Sequence, residues 1–313
     1  MAIPRPLVEY TKTLVGHRAR LNRLLDRRAI APMKRLYDEA AAVMTKRLRQ
    51  TIGRIPGSFT EHQHRLALAQ LKQGQAVISH RLAGELGDIT LEAQRESLRG
   101  LTADLAHLER TFTGAEITLP VEEAARFAGV IDKRRTSLLK MHRESMARYG
   151  ARAVGDMEDT LSLSLITGES PGQAIERIQE VIDGEWWQAE RIVRTETAWA
   201  YNATHRDGMV EAAEELDDLM MQWNEYVGPA GDPLDDRVGV DSLAMHGQVT
   251  EVDGEFTMPE KAPDGTPVSE SLAGASWEFP PNRPNDRAVV VPWRKDWGVP
   301  GWQFKGGRRV PMR

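Results

Sequence analysis

The chain has 313 residues, 41% hydrophobic and 28% charged, an ordinary globular composition with length enough for two domains. It has no cysteine, which excludes disulfides and thiolate metal sites, and it has neither the roughly 20-residue apolar run of a membrane span nor the apolar core of a signal peptide, so a soluble, cytoplasm-like setting is expected. The net charge of −5 hides an asymmetry: residues 1–54 hold 13 Lys/Arg against 4 Asp/Glu, residues 294–313 hold 6 against 1, and the stretch between them is strongly acidic.

Leu14, Leu21, Leu24 and Leu25 recur at three- and four-residue intervals and predict a first helix, and Pro32 opens a second, APMKRLYDEAAAVMTKRLRQ. These helices carry Arg23, Arg27, Arg28, Lys34, Arg35, Lys46, Arg47 and Arg49. Such a series reads either as solvated helix faces or as contacts to nucleic acid or an acidic protein surface. Pro56-Gly57 breaks the chain. A third helix is expected from about Phe59 to Leu86, and a fourth, capped by Asp88, through Arg110. His62 and His64, the only close histidine pair, point about 200° apart on a helix and make poor metal co-ligands. TFTGAEITLP reads as a loop, and a long helical stretch follows Pro120. Ser170-Pro171 is a helix start, with Ser as the cap and Pro at the first helical position. That helix is expected to stop near Gly184 and another, EWWQAERIVRTETAWAYNATHRDGMVEAAEELDDL, to follow. No long heptad register is present, so a bundle or an extended scaffold is expected rather than a coiled coil.

The composition then changes. All eight tryptophans lie at or after Trp186, and eleven of the seventeen prolines at or after Pro229. LMMQWNEYV, GEFTMP and DRAVVVPWR are strand candidates, VGVDSLAMHGQV a short helix or turn stopped by Gly247, and KAPDGTPVSESLAGA a loop. The expected fold is α+β: an all-helical region over 1–169, a small α+β domain with a few short antiparallel strands over 170–295, and a basic aromatic tail over 296–313.

Within RIVRTETAWAYNATHRDGM, Ala189, Ile192, Ala200 and Ala203 share one helical face, and Glu196 falls in the middle of it. A carboxylate on an apolar stripe is costly without a partner. Arg194, Trp187, Tyr201 and His205 share a second face, about 140° away. That face suits either Arg–aromatic stacking or an exposed interaction surface.

Four pieces, ERIVRTETAWAYN, QWNEYV, DDRVGVDSLAMHGQV and FPPNRPNDRAVVVPWR, resemble in order and spacing the C-terminal domain of the phage Mu F-like minor head proteins, also called head morphogenesis proteins. The matching residues are Arg194-Thr195-Glu196 followed by Ala200-Tyr201-Asn202, then Trp223, Asp236-Arg237-Val238, His246-Gly247 and Arg287. The family's last piece ends in Cys-Arg-Cys; here it is Asp286-Arg287-Ala288, so any site built from those cysteines is absent. The resemblance covers roughly 170–295. It implies a minor capsid protein of a tailed phage or prophage, bound to the portal protein inside the procapsid, with genomic DNA and other capsid proteins as further partners. The location implied is the virion interior near the portal, after assembly in the host cytoplasm, with the helical N-terminal region as docking arm.

Glu196 needs a cationic partner, and Arg237 or Arg287 is expected to supply it, with His246 bonding into the same cluster. An Arg, a hydroxyl residue and a Glu also occur together in ADP-ribosyl transfer sites. Arg194, Thr195 and Glu196, however, are consecutive on one helix, where Arg194 and Glu196 diverge by about 200°. No P-loop, GxGxxG, HExxH or GxSxG is present. No catalytic residue, metal or cofactor is therefore expected. A stand-alone DNA-binding protein and an injected enzyme are the alternatives. The acidic run EAAEELDDL reads as a solvated helix face. In the tail, Trp293, Trp297 and Trp302 alternate with Lys305, Arg308 and Arg309, a pattern suited to nucleic acid, to an acidic protein groove, or to packing on its own domain.

Overall fold

The computed structural model describes residues 5–53, 55, 57–119, 122–225, 227, 238–284 and 286–312. Five long helices come first: α1 (Arg5–Arg23), a π-helical segment (Leu24–Ile30), α2 (Ala31–Thr51), α3 (Glu61–Phe112), α4 (Ala124–Ile166) and α5 (Pro171–Ala212). Short elements follow: β1 (Met220–Asn224), α6 (Val240–Met245), β2 (Val249–Glu251), β3 (Phe256–Thr257), β4 (Ser276–Trp277), β5 (Val289–Trp293), a 3₁₀ turn (Lys295–Trp297), β6 (Trp302–Lys305) and β7 (Arg308–Pro311). The chain is α+β, as its composition shift indicates.

Two expected helix breaks are absent. Asp88 lies inside α3, and Gly184 inside α5. The cap sits instead at Thr60, whose backbone N–H donates to Gln63 Oε1 at 2.8 Å, a reciprocal box of the kind that Ser170 and Gln173 also form (2.9 Å).

The chain folds into two compact units, and they do not follow the linear division at residue 169. A helical unit takes residues 25–89 and 136–196. Its core joins Met33, Tyr37, Met44 and Leu48 of α2 to Leu71, Ile78 and Leu82 of α3, Met146, Met157 and Leu161 of α4, and Ile175, Ile178 and Ile182 of α5. The buried residues of α2 repeat at three- and four-residue intervals, which gives the helix one wet face. Tyr37 donates to the Ile182 carbonyl at 2.6 Å, so the hydroxyl of this core tyrosine is satisfied. A Cβ on Gly74 would come within 2.6 Å of Met44, so glycine permits the approach of α3 to α2 there.

A strand-bearing unit takes residues 1–24, 90–135 and 197–313. Its sheet has the order β2-β1-β5, all antiparallel, with Gln222 opposite both Val249 and Val291 and Trp223 opposite Val290. β3–β4 and β6–β7 are separate two-stranded ribbons. Trp223, Trp293, Trp297, Tyr201 and Phe256 are fully buried, which accounts for the aromatic content of the last third of the chain. α1 is part of this core: Tyr10 donates to the Pro292 carbonyl at 2.9 Å, and Arg18 donates to the Val227 carbonyl at 2.9 Å and to Asn224 Oδ1. No helix among the described residues is long and apolar enough to cross a membrane.

Candidate functional site

The second half of α5 is the spine of the strand-bearing unit, and its polar side chains are buried: Asn202, Thr204, His205 and Asp207 are all 2% exposed or less. Each needs a partner at that depth. Asn202 finds its partners on β5 and the residue before it. Its Nδ2 donates to the Ala288 carbonyl at 3.1 Å, and its Oδ1 accepts the Val290 N–H at 3.2 Å. β5 is an edge strand of the sheet, and this amide fills positions that a further strand would occupy.

Asp207 lies three turns beyond Glu196 on the same face of α5, about 20° away. It accepts a bidentate pair from Arg134 of α4, Nε at 2.6 Å and Nη2 at 3.0 Å. The Arg134 guanidinium also lies over the rings of Trp199 and Phe279, at 5.6 and 5.5 Å.

A third cluster joins α1, α3 and α5. The rings of His17 and His205 are 4.3 Å apart, Tyr201 Oη is 3.4 Å from His17 Nδ1, and Ser97 Oγ donates to the Tyr201 carbonyl at 2.8 Å. Arg20 pairs with Asp104, which is 3.7 Å from His17. Burial, then the positive charges of Arg20 and Arg18, hold His17 well below the ordinary imidazole range. Burial and the adjacent His17 do the same to His205, so both rings are neutral near pH 7.

Among the described residues, Glu196 meets other partners than the expected ones. Glu196 belongs to the helical unit, where Ser145 Oγ donates to it at 2.9 Å and His142 Nε2 stands 3.9 Å away. Burial pushes His142 down to about 4, so this contact joins a carboxyl to a neutral imidazole. Burial raises Glu196, opposed by the Ser145 hydrogen bond and by Arg148. Arg287 is half-buried just before β5 and is not among these partners; Arg237 lies outside the described residues. His246 does enter a polar cluster, but its Nδ1 meets the Glu225 N–H at 3.4 Å. Glu225, which accepts from Trp223 Nε1 at 2.9 Å, is pushed up by burial and by Asp286.

The second expected face also divides. Tyr201 and His205 are fully buried, so they offer no surface, whereas Trp187 is 55% exposed. Arg194 does not stack on Tyr201; it donates to Glu190 at 2.8 Å and stands 3.8 Å from Asp26. Arg23, Arg27, Arg28, Arg35, Lys46, Arg47 and Arg49 are exposed. Lys34 is half-buried, paired with Asp38, and lies over the Trp186 ring at 5.7 Å. Lys305 and Arg308 are exposed. Arg309 is half-buried, donating to the Ala244 and Leu243 carbonyls with its guanidinium 4.0 Å from the Trp302 ring centroid.

Sequence reading missed Arg134, Asp207, His17, Asp104 and Glu225. Only Asp207 left a signal, its 11-residue spacing from Glu196. The buried polar side chains of both units mostly bond to one another or to backbone, and among the described residues no three His, Asp or Glu converge as metal ligands. No protein-family model, curated protein or solved structure matches the chain.

Proposed function

We propose that this chain is a minor head, or head morphogenesis, protein of a tailed phage or prophage. It binds the portal protein inside the procapsid and assists head assembly, DNA packaging or DNA delivery. The observation that carries the reading is the set of four Mu F-like pieces in family order. Ala200-Tyr201-Asn202, Trp223, His246-Gly247 and Asp286-Arg287-Ala288 belong to the strand-bearing unit, whereas Arg194-Thr195-Glu196, the start of the first piece, belongs to the helical unit. Gly247 N–H donates to the Trp223 carbonyl at 2.9 Å, and Asn202 ties the helix piece to the last piece. Exposed Arg35, Lys46, Arg47 and Arg49 of α2 are the candidate portal contacts, suited to an acidic face of the ring.

Co-purification of the full-length chain with the portal ring encoded beside it tests the reading. The wild-type chain is expected to hold the ring, and R35E/K46E/R49E to lose it while keeping its circular dichroism. A wild-type chain that fails to bind the ring overturns the assignment.

A further inference from the structure

The β6–β7 ribbon is joined by the two-residue turn Gly306-Gly307, both with positive φ (54° and 77°), which only glycine adopts without strain. Directly opposed residues share a face. Trp302 with Pro311 and Phe304 with Arg309 therefore make one face, and Gln303 with Val310 and Lys305 with Arg308 make the other. The first face is turned to the protein body: Trp302 Nε1 donates to the His246 carbonyl at 2.9 Å, and Arg309 stacks on Trp302 and bonds the carbonyls of α6.

The second face is exposed at its tip and has an electrostatic fault. Lys305 and Arg308 are two like charges directly across the ribbon, an arrangement that destabilises a hairpin, and neither has an acidic partner among the described residues. Between them the turn has no side chain, so backbone N–H groups and both cations reach an approaching surface together. An acidic protein interface wants an aromatic or large apolar anchor, and an anionic bilayer wants an apolar residue to insert. The exposed tip, residues 305–308, supplies neither: Trp302 and Phe304 belong to the other side, and Val310, the apolar residue of this face, is half-buried and set back from the tip opposite Gln303. A narrow two-stranded ribbon does match the width of the DNA major groove, where phosphates flank it on both sides.

We infer that the β6–β7 ribbon is a duplex-DNA docking element, with Lys305 and Arg308 contacting phosphates astride the Gly306-Gly307 tip. The assignment stands on the ribbon's own geometry and does not rest on the portal reading; the DNA assay needs no portal, so the two fail separately.

The test is fluorescence anisotropy of the full-length chain with a short labelled duplex across a salt series. Polyglutamate and phosphatidylserine vesicles serve as competing polyanions, and R81Q/R95Q, at two exposed cations of α3, as the control variant. Loss of two phosphate contacts in K305Q/R308Q should flatten the slope of log K against log salt by roughly 1.8, about a tenfold difference in the fall between 50 and 200 mM. R81Q/R95Q should flatten the slope less than K305Q/R308Q, and equal flattening overturns the inference. K305E and R308E singly should each show part of the loss, which keeps the test open if the double variant folds poorly. Absence of duplex binding by the wild-type chain overturns the inference. So does an unchanged slope in K305Q/R308Q, or competition by polyglutamate or vesicles as effective as by unlabelled duplex.

Discussion

Asn202→Ala is the sharpest probe of how α5 is held to the sheet. The substitution removes both hydrogen bonds to the β5 edge and leaves the Val290 N–H and the Ala288 carbonyl facing a small apolar void. Each orphaned buried group costs about 1–3 kcal/mol, and alanine returns about 0.6 kcal/mol through its better helix propensity, so the expected net loss is about 2–5 kcal/mol. Asn202→Asp should be at least as damaging. It keeps an acceptor for Val290 but sets a second oxygen against the Ala288 carbonyl and buries a charge. Urea unfolding followed by tryptophan emission suits the measurement, because six of the eight tryptophans lie in the strand-bearing unit. A loss below about 1 kcal/mol in the alanine variant, or wild-type stability in the aspartate variant, would show that the amide is not the latch.

Glu196→Gln should change stability by less than about 1 kcal/mol, since the amide can still accept from Ser145; had an arginine been its buried partner, the loss would be about 3–5 kcal/mol. Asp207→Asn breaks the bidentate pair with Arg134, and because Arg134 is 21% exposed the expected cost is about 2–4 kcal/mol, measured by the same unfolding assay. For the histidine pair the sign follows from the lowered folded-state values. Stability is complete above the unfolded pKa of about 6.5 and falls as pH drops, by up to about 1.4 kcal/mol per pH unit for each ring. Asp104, raised mainly by burial, titrates in the opposite direction and offsets at most one ring. Between pH 6.5 and 5 the wild-type urea midpoint should therefore fall more steeply than that of H17Q/H205Q, and parallel curves would refute the linkage.

The elements that were legible in the sequence carry a local signature. Pro32 and the Ser170-Pro171 pair mark helix starts, the Trp and Pro enrichment marks the strand-bearing part, and the valines of VVVPW mark β5. Gly184 misled, because a glycine in an exposed helix position costs about 1 kcal/mol and the packing of Ile178, Ile182 and Ala189 on the core outweighs it. The partner of Glu196 was not legible for a different reason. Sequence gives the face on which a carboxylate lies but not the element opposite, and Arg287 belongs to a different compact unit from the serine that meets Glu196. Asn202 was visible as a residue of the family motif, yet nothing local distinguishes an amide that caps a sheet edge from one exposed to water.

The charge asymmetry of the chain also changes meaning once the partners are known. Basic residues at the two ends separate into those that hold the strand-bearing unit together and those that face outward. Arg18 bonds Val227 and Asn224, Arg20 pairs with Asp104, Arg294 pairs with Glu109 at 2.7 Å, and Arg309 caps α6. α1 is thereby an internal strut of the strand-bearing unit, and the portal contacts proposed above are drawn from the exposed cations of α2. A fragment starting at residue 170 would lack Tyr10, Arg18 and Asp104, which belong to the strand-bearing unit. The consequence is a separation of phenotypes. Arg294→Ala leaves Glu109, 2% exposed, without its ion pair, keeping only the Trp297 Nε1 and Thr113 hydroxyl bonds, and should lower stability by about 2–4 kcal/mol. Lys46→Ala and Arg49→Ala, both exposed, should stay within about 0.5 kcal/mol of the parent and alter binding alone. If Arg294→Ala unfolds no more easily than Lys46→Ala, the division between structural and outward-facing cations is wrong.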